Sequence, residues 1–355
     1  MTEKARAPDR APPTHPGALR GPGWTDVLFG DPEVAAILSP ERQLADMLRI
    51  EAAFARAIGA PAAGEAIAAT RIDRAALASA AARDGVPVPE LVRQLRAQAP
   101  EAVRAAIHTG LTSQDVIDTA LVLALRDLFD LFEARLAATA DALGALGERL
   151  GGLRMTGVTR SQPALPVTFA ARLAGWLAPF PDHFDRLEAL RPLVLRLQFG
   201  GPVGDRPRDA VAVAMAAELG LAAPERAWHA DRTALAEATG WMALIAGHLG
   251  KIGQDIATMA LMGDIRVEGG GGSSAMPHKE NPVQAELLIA LARDAAHQQG
   301  AMLAALPHGM ERDGAAWMAE WLALPRIAGA CGRALAVAPG LLAALTPPGG
   351  ADGPV

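Results

Sequence analysis

The longest regular pattern of apolar and polar positions lies between Ser113 and Leu150, where no proline interrupts the chain. Apolar residues recur there at steps of about three and four, and charged residues fall largely between them. This spacing predicts one amphipathic α-helix, which at 1.5 Å per residue would be roughly 50 Å long. The apolar positions that carry the pattern are Ile117, Leu121, Leu125, Leu128, Phe132, Leu136 and Leu143.

Prolines and glycines divide the rest of the chain into further helical segments. Several short helices are predicted from Pro40 to about Ala106, and a segment from about Pro166 to Leu197 is predicted to bend at its internal prolines, Pro179 and Pro181. Capping residues mark two later helix starts, Asp231 for one and Asn281, followed by proline, for the other. The remaining predicted helices are Pro207–Leu219, Asp231–Met262, Pro282–Leu306 and Gly314–Val337.

These segments predict an all-α protein built around a bundle of long helices. The composition is 51% hydrophobic with no tyrosine, and β-branched runs are rare, so a large sheet is not expected. Long helices with few charges bury wide apolar faces in a bundle and between subunits. The predicted organisation is a disordered tail over 1–22, a small N-terminal helical lobe over 23–110, a central bundle over 111–340 and a second disordered tail over 341–355.

Net charge and cysteine content indicate which partners and which cellular compartment to expect. The formal charge of −6 gives no electrostatic reason to expect nucleic acid or an anionic membrane surface. A single cysteine excludes an internal disulfide and fits a reducing cytoplasm. No apolar stretch is expected to span a membrane, and the N-terminus lacks the apolar segment of a secretory signal. The sequence therefore predicts a cytoplasmic protein without nucleic-acid or membrane partners.

The first candidate site is the segment His108–Asp115, at the start of the long helix. Thr112 with Asp115 three residues later resembles a capping box, which is a purely structural interpretation. Alternatively, the free N–H groups and hydroxyls of a helix start would bind a carboxylate. Both interpretations stay open for this segment, whose candidate binding residues are His108, Thr112, Ser113 and Gln114.

The second candidate site is the segment Thr159–Pro166, just before the next predicted helix. In isolation, a polar loop with a solvated arginine is the simpler interpretation. The functional alternative is that Arg160 binds a carboxylate through its bidentate fork. The candidate binding residues here are Thr159, Arg160 and Gln162.

The third candidate site is the signature loop, which we define as Gly269–Pro282. A flexible glycine linker and a helix cap explain its four leading glycines and its Asn281-Pro282 pair. They do not explain the order of the residues between, Ser273, Met276, Pro277 and Lys279. Two hydroxyls, a cation and an amide on a loop before a helix suit a site that holds a carboxylate and moves a proton beside it.

The pattern Gly-Ser-Ser-x-Met-Pro-x-Lys-x-Asn-Pro resembles the signature of the fumarase/aspartase superfamily. The first two sites are similar to that family's other two active-site regions in order and approximate spacing, and the resemblance covers roughly Gly23–Val337. It implies that a proton is removed beside a carboxylate and a group then leaves the next carbon, without metal or organic cofactor. It further implies that Ser273 is the catalytic base, and that Lys279 and Asn281 hold the carboxylate and stabilise its developing charge.

The second region departs from most of the family, which has Thr-His where this chain has Thr159-Arg160. In the family the histidine donates a proton to the leaving group or supports the donor, and arginine is a poor donor near neutral pH. An amine leaving group needs that proton, but a carboxylate does not. The branch with a carboxylate leaving group lactonises 3-carboxy-cis,cis-muconate, in the protocatechuate branch of the β-ketoadipate pathway. The segments Gln198–Gly204 and Glu311–Trp317 also resemble that branch.

The resemblance implies a small tricarboxylate substrate, which requires several cations. Arg266 and Arg312 are therefore further binding candidates beside Arg160 and Lys279. It also implies a homotetramer with active sites shared between subunits, since helix starts at opposite ends of a bundle are far apart. The family's small C-terminal domain is expected to be largely absent.

Two other functions are left open by the sequence. One is an adenylosuccinate- or argininosuccinate-type lyase that releases fumarate and takes its proton donor from elsewhere, for example His108. The other is a helical structural protein that keeps the scaffold without catalysis. The histidines His108, His229 and His278 are scattered along the chain, so non-metal roles are expected for them.

Overall fold

The structure, a computed structural model, describes residues 23–206, 209–272, 276 and 279–348. The protein is all-α, as the sequence predicts, with short strands in two places of the described chain. The helices are α1 (Trp24–Phe29), α2 (Pro32–Ile37), α3 (Pro40–Ala57), α4 (Pro61–Ala69), α5 (Arg74–Asp84), α6 (Val88–Gln98), α7 (Glu101–Arg104), α8 (Ser113–Leu150), α9 (Phe169–Leu177), α10 (Pro179–Val194), α11 (Ala210–Leu219), α12 (Thr233–Met262), α13 (Val283–Ala305) and α14 (Gly314–Ala343). The strands are β1 (Arg154–Thr159), β2 (Gln162–Thr168), β3 (Arg266–Val267) and β4 (Leu345–Thr346).

The short helices α3 to α7 surround their own hydrophobic cluster. Ile50 and Phe54 of α3, Leu91 and Leu95 of α6 and Ile107 are fully buried in it. The cluster continues onto the first part of α8 and onto α11, so the N-terminal lobe packs directly against the start of the long helix. Two short helices, α1 and α2, precede the region in which helices were predicted.

The central bundle consists mainly of α8, α10, α12, α13 and α14. Aromatic side chains fill its middle, where the Trp241 ring meets Phe129 edge-on at a centroid distance of 5.6 Å. Helices α12 and α13 approach closely at Gly250, where an added Cβ would lie 2.4 Å from the Cβ of Ala292. The close contact predicted from the glycines of α12 is confirmed at this position.

Helices α8, α12 and α14 all begin at the same end of the bundle. Arg232, just before α12, pairs with Asp118 near the start of α8 and with Glu320 in the first part of α14. At the opposite end, Arg149 of α8 donates to the carbonyl of Ala343, the last residue of α14. The predicted helix over 113–150 is confirmed, and its 38 residues separate the two ends by roughly 55 Å.

A β-hairpin replaces part of the predicted second helical segment. Strands β1 and β2 pair antiparallel across a two-residue turn, and α9 begins only at Phe169, where the Thr168 side chain accepts from Ala171 N. The helix predicted from Pro166 is therefore wrong at its start, because the prolines of β2 lack a helical N–H and suit an edge strand. The bend predicted at Pro179 is confirmed, since α9 ends at Leu177 and α10 begins at Pro179, whereas the bend predicted at Pro181 is wrong because this proline lies in the first turn of α10.

Two predicted caps are displaced by one residue. Helix α12 begins at Thr233 after Arg232, although the Asp231 carboxylate still accepts from Thr233 N at 3.3 Å. Helix α13 begins at Val283 after Pro282, because the backbone of Asn281 is already paired elsewhere. The predicted start at Pro207 lies outside the described residues, and α11 is described from Ala210.

The C-terminal segment is ordered further than predicted. Helix α14 continues past Pro339 to Ala343, and β4 pairs antiparallel with β3. The tail predicted from residue 341 is thus wrong for its first residues, because Leu341, Leu342 and Leu345 are buried in the bundle core.

One described helix, α14, is long and apolar enough to cross a membrane by length and composition. This contradicts the expectation that no apolar stretch could do so. In the structure 61% of its most apolar window is buried, because α14 packs in the bundle against α8, α12 and α13.

Candidate active site

The first candidate segment forms the start of α8. Thr112 is the N-cap residue, and Asp115 accepts a hydrogen bond from its backbone N at 3.0 Å, so the predicted capping box is present. The carboxyl group of Asp115 is buried, and Ser113 beside it is half-buried. A helix start of this kind presents unpaired backbone N–H groups and the positive end of the helix dipole.

The Asp115 carboxylate also holds the turn that contains Gly200 and Gly201. Its Oδ1 accepts from Gly200 N at 2.9 Å, and its Oδ2 accepts from Gly201 N at 3.0 Å. His229 Nε2 lies 2.8 Å from Oδ1. Four groups from three separate parts of the chain therefore surround one buried carboxylate.

Arg312 lies against the same helix start. Its Nη1 donates to Thr112 Oγ1, and its Nη2 donates to the carbonyl of Pro202. Asp313 next to it caps α14 by accepting from Ala315 N and Ala316 N. The structure thus brings together the segments 108–115, 198–204 and 311–317, which the sequence analysis singled out separately.

Gln114 turns inward from the helix start. Its side-chain nitrogen donates to Asp118 Oδ2 at 3.1 Å and to the carbonyl of His229 at 3.0 Å. These contacts fix its amide inside the protein, and the substrate-binding role of Gln114 stays a prediction.

His108 occupies a left-handed backbone conformation with φ of 58°. Its Nδ1 lies 2.6 Å from Oε1 of Glu51, a fully buried carboxylate on α3. The pair links the N-terminal lobe to the segment before α8. A strained backbone and a carboxylate partner are common at functional sites and also occur in structural contacts.

A buried ion network supports this end of the bundle. Arg232 makes hydrogen bonds to both Asp118 and Glu320, and each of the three side chains is at most 2% exposed. Burial alone would lower the pKa of Arg232, but the charges and hydrogen bonds of Asp118 and Glu320 outweigh it, so the pKa is raised. Trp317 Nε1 donates to Asp118 Oδ1 at 2.9 Å, so α14 contacts the network through Trp317 as well as through Glu320.

The second candidate segment forms the hairpin turn. Thr159 pairs with Gln162, and Arg160 and Ser161 between them have φ of 47° and 61°. Two positive φ values in a two-residue loop are typical of a type I′ turn, whose twist matches that of the strands. Arg160 is exposed at the tip of the hairpin. A cleft separates the hairpin from the second half of α12, and its walls include Ser161, Arg172, Lys251 and Asp255.

The signature loop is described at its base. Gly271 and Asn281 exchange two backbone hydrogen bonds of 2.9 Å, and Lys279 is exposed with its backbone N donating to Met276 O. Arg266, on β3 before the loop, is also exposed. Ser273, the predicted base, lies outside the described residues, as do Ser274, Ala275, Pro277 and His278.

The candidate sites lie at two ends of the molecule. Glu268 N, at the base of the signature loop, donates to the carbonyl of Ala344 at 2.9 Å, next to the residue that Arg149 of α8 contacts. The hairpin follows directly after α8 and borders the same end of α12. Thr112 and Arg312 are therefore separated by the length of α8 from Arg160, Arg266, Lys279 and Asn281, and one chain does not bring all predicted residues together.

The sequence analysis missed the supporting role of Asp115 and His229. Asp115 was interpreted only as a cap, although its spacing from Thr112 placed it at the site, and His229 was set aside as scattered. Among the described residues, no group of three or more His, Cys, Asp or Glu side chains is arranged to hold a metal ion.

Comparison with known proteins gives a consistent family. A family model described as Lyase matches residues 49–296. The 3-carboxy-cis,cis-muconate cycloisomerase of Pseudomonas aeruginosa is 40% identical over 343 residues, which cover 90% of this chain and 74% of that protein. The enzyme of the same name from Pseudomonas putida is 38% identical, with 89% of this chain and 81% of that protein covered.

A solved structure agrees with these relatives. The crystal structure of 3-carboxy-cis,cis-muconate lactonizing enzyme from Pseudomonas putida matches with a TM-score of 0.85 at 38% identity, covering 91% of this chain and 77% of that one. The chain therefore belongs to the fumarase/aspartase superfamily of lyases.

Proposed function

We propose that this protein is a cycloisomerase that converts 3-carboxy-cis,cis-muconate into a carboxymuconolactone. The observation that carries the proposal is Arg160, a permanent cation at the exposed hairpin tip where most of the family has a proton-donating histidine. A carboxylate leaving group, or in the other direction an attacking carboxylate, needs charge recognition rather than a proton. The two Pseudomonas relatives and the solved structure support the same substrate.

The proposed reaction is an addition within one molecule. A carboxylate oxygen of the substrate bonds to one carbon of a double bond, and the neighbouring carbon, beside another carboxylate, takes a proton from the Ser273 hydroxyl, which regains a proton from water. The aci-carboxylate formed on the way carries extra negative charge, which Lys279 and Asn281 would stabilise. A serine hydroxyl needs an electropositive setting for this work, and Lys279, six residues further along the chain, would supply positive charge to it.

Three carboxylates on the substrate call for cations from more than one segment. Arg160 would bind the carboxylate that forms the lactone and orient its oxygen through a bidentate pair. Arg312 at the start of α8 is a second binding group, with Thr112 and Ser113 supplying hydroxyls beside it. Arg266, exposed on β3, is a third cation within reach of the signature loop.

The proposed assembly is a homotetramer in which different subunits complete each active site. The support is the separation of roughly 55 Å along α8 between the Thr112 end and the signature-loop end. If helices of neighbouring subunits pack antiparallel, the two ends meet across subunits.

We also propose that the protein acts in the protocatechuate branch of aromatic catabolism and is located in the cytoplasm. A single cysteine, which is buried and unpaired, is consistent with a reducing compartment.

Incubation of the purified protein with 3-carboxy-cis,cis-muconate tests the function. The expected result is loss of the ultraviolet absorbance of the diene without release of fumarate, because lactonisation removes one double bond and expels nothing. Production of fumarate from a succinyl adduct, with the diene left intact, would instead establish the adenylosuccinate- or argininosuccinate-type lyase. Failure with both substrates would leave a non-catalytic structural homologue.

A further inference from the structure

We propose that Asp115 is a positioning residue that fixes the orientation of the Arg312 guanidinium, and thereby the affinity for one substrate carboxylate. The inference rests on the proposed function, in which Arg312 binds substrate. Asp115 itself is buried and makes its contacts inside the protein, so it would act through Arg312.

The first step concerns what holds Arg312. Its Nη1 donates to Thr112 Oγ1, and its Nη2 donates to the carbonyl of Pro202. Two anchors on different terminal nitrogens define the plane of a guanidinium. Arginine has five N–H donors, so this arrangement leaves donors of the same plane for a carboxylate.

The second step concerns what holds the two anchors. The Asp115 carboxylate accepts from the backbone N of Thr112, the first anchor, at 3.0 Å. It also accepts from the backbone N of Gly200 and Gly201, which lead directly into Pro202, the second anchor. One carboxylate therefore sets the distance between the two groups that fix Arg312.

The third step concerns rigidity. Gly201 has φ of +67°, and an added Cβ would lie 3.2 Å from the carbonyl of Gly110, so this turn is pressed against the segment before α8. His229 Nε2, 2.8 Å from Asp115 Oδ1, supplies a fourth contact from the segment before α12. Hydrogen bonds to a buried carboxylate are among the stronger ones in proteins, so the contacts of Asp115 hold the two anchors of Arg312 rigidly.

Replacing Asp115 with asparagine keeps the shape but puts an NH2 group against backbone donors. The turn that contains Gly200 and Gly201 would then move away from Thr112, and Arg312 would lose its hydrogen bond to Thr112 or to Pro202. A displacement of about 1 Å in a substrate-binding group reduces turnover efficiency by up to roughly 100-fold. We expect Asp115→Asn to raise KM at least about tenfold while kcat changes by less than about threefold, since Arg312 binds rather than transfers the proton.

A double-mutant cycle separates positioning from general damage. If Asp115 acts through Arg312, then Asp115→Asn adds little to the loss in an Arg312→Lys background, because lysine lacks the two terminal nitrogens whose bonds to Thr112 and Pro202 set the plane of the guanidinium. If the two residues acted independently, the fold-increases in KM of the two single variants would multiply in the double variant. A double variant whose KM shows this full product, or an Asp115→Asn variant with the KM of wild type, would overturn the inference.

Asp31→Asn is the matched control. Asp31 is also a buried capping carboxylate, accepting from Glu33 N, Val34 N and Arg135, and it lies beside the middle of α8. This variant is expected to lower stability and leave KM unchanged. If Asp115→Asn does not fold, His229→Leu removes one of the four contacts and should give a smaller rise in KM in the same direction.

A crystal structure of Asp115→Asn, or of His229→Leu, gives a readout that does not depend on turnover. The inference predicts that Arg312 has left Thr112 or Pro202, and retention of both bonds would overturn it. If the wild-type protein leaves 3-carboxy-cis,cis-muconate unchanged, the proposed function fails, whereas the position of Arg312 in the variant still decides this inference.

Discussion

Replacement of Arg232 by methionine tests whether the buried ion network fixes the helix starts that form the site. Arg232 is 1% exposed and makes five hydrogen bonds to Asp118 and Glu320. Methionine fills most of the volume but supplies no charge. The perturbation therefore leaves two buried carboxylates facing each other without their shared cation.

The expected loss is large because both carboxylates stay buried. Breaking a buried ion pair by removing one partner typically costs about 3–5 kcal/mol. Asp118 still accepts hydrogen bonds from Trp317 Nε1 and from the Gln114 amide, so its contribution to the loss of stability is expected to be smaller than that of a carboxylate left without donors. We therefore expect a decrease in the free energy of unfolding of about 3–5 kcal/mol in total, a large fraction of the roughly 5–15 kcal/mol typical of native proteins.

Urea unfolding at pH 7 and fixed protein concentration measures this loss. Arg191→Met is the matched control, since Arg191 also pairs with two carboxylates, Asp130 and Glu133, but these are exposed. Such surface pairs contribute about 1 kcal/mol or less. The reasoning is refuted if Arg232→Met unfolds within about 1 kcal/mol of wild type, or loses no more than the control.

Three further predictions concern substrate binding, assembly and pH. Arg160→Ala is expected to raise KM at least about tenfold without changing the unfolding midpoint, as measured by steady-state kinetics and urea titration; an unchanged KM would remove Arg160 from substrate binding. Mixing an inactive Ser273→Ala variant with an Arg312→Ala variant, assayed at a substrate concentration far below the raised KM of Arg312→Ala, should give more activity than Arg312→Ala alone if sites are shared between subunits, and no gain despite proven subunit exchange counts against sharing. Burial, and after it the charge of His248, lowers the pKa of His183 from 6.5 to about 4. Folded His183 is then neutral where the unfolded chain binds a proton, so stability should rise with pH between about 4 and 6.5, by roughly 3 kcal/mol. A His183→Phe variant should show a flatter profile over this window, and an unaltered slope would contradict the assignment.

Strong periodicity made the long helices predictable from the sequence. Between Ser113 and Leu150 the apolar positions repeat over many turns without proline, and the structure has a helix with those bounds. The hairpin was missed because its strands are short and its turn, Arg160-Ser161, lacks the glycine or asparagine that usually marks positive φ. Pro166 was interpreted as the start of a helix, whereas it lies with Pro163 in strand β2.

The site was predictable only as separate pieces. The Thr112–Asp115 cap is a local contact between residues three apart, and the sequence pattern contains it. The contacts of Arg312 with Thr112 and of Asp115 with Gly200 span 200 and 85 residues, and they depend on how helices pack. No local pattern specifies such contacts, and the same holds for His229, which meets Asp115 from 114 residues away.

The most direct test of the proposed chemistry is to run the reaction in D2O and examine the product by NMR. The account predicts a lactone that carries one deuterium on the carbon beside a carboxylate, with wild-type protein, and no turnover with a correctly folded Ser273→Ala variant. A lactone without deuterium at that carbon, or full turnover by the Ser273 variant, would contradict it.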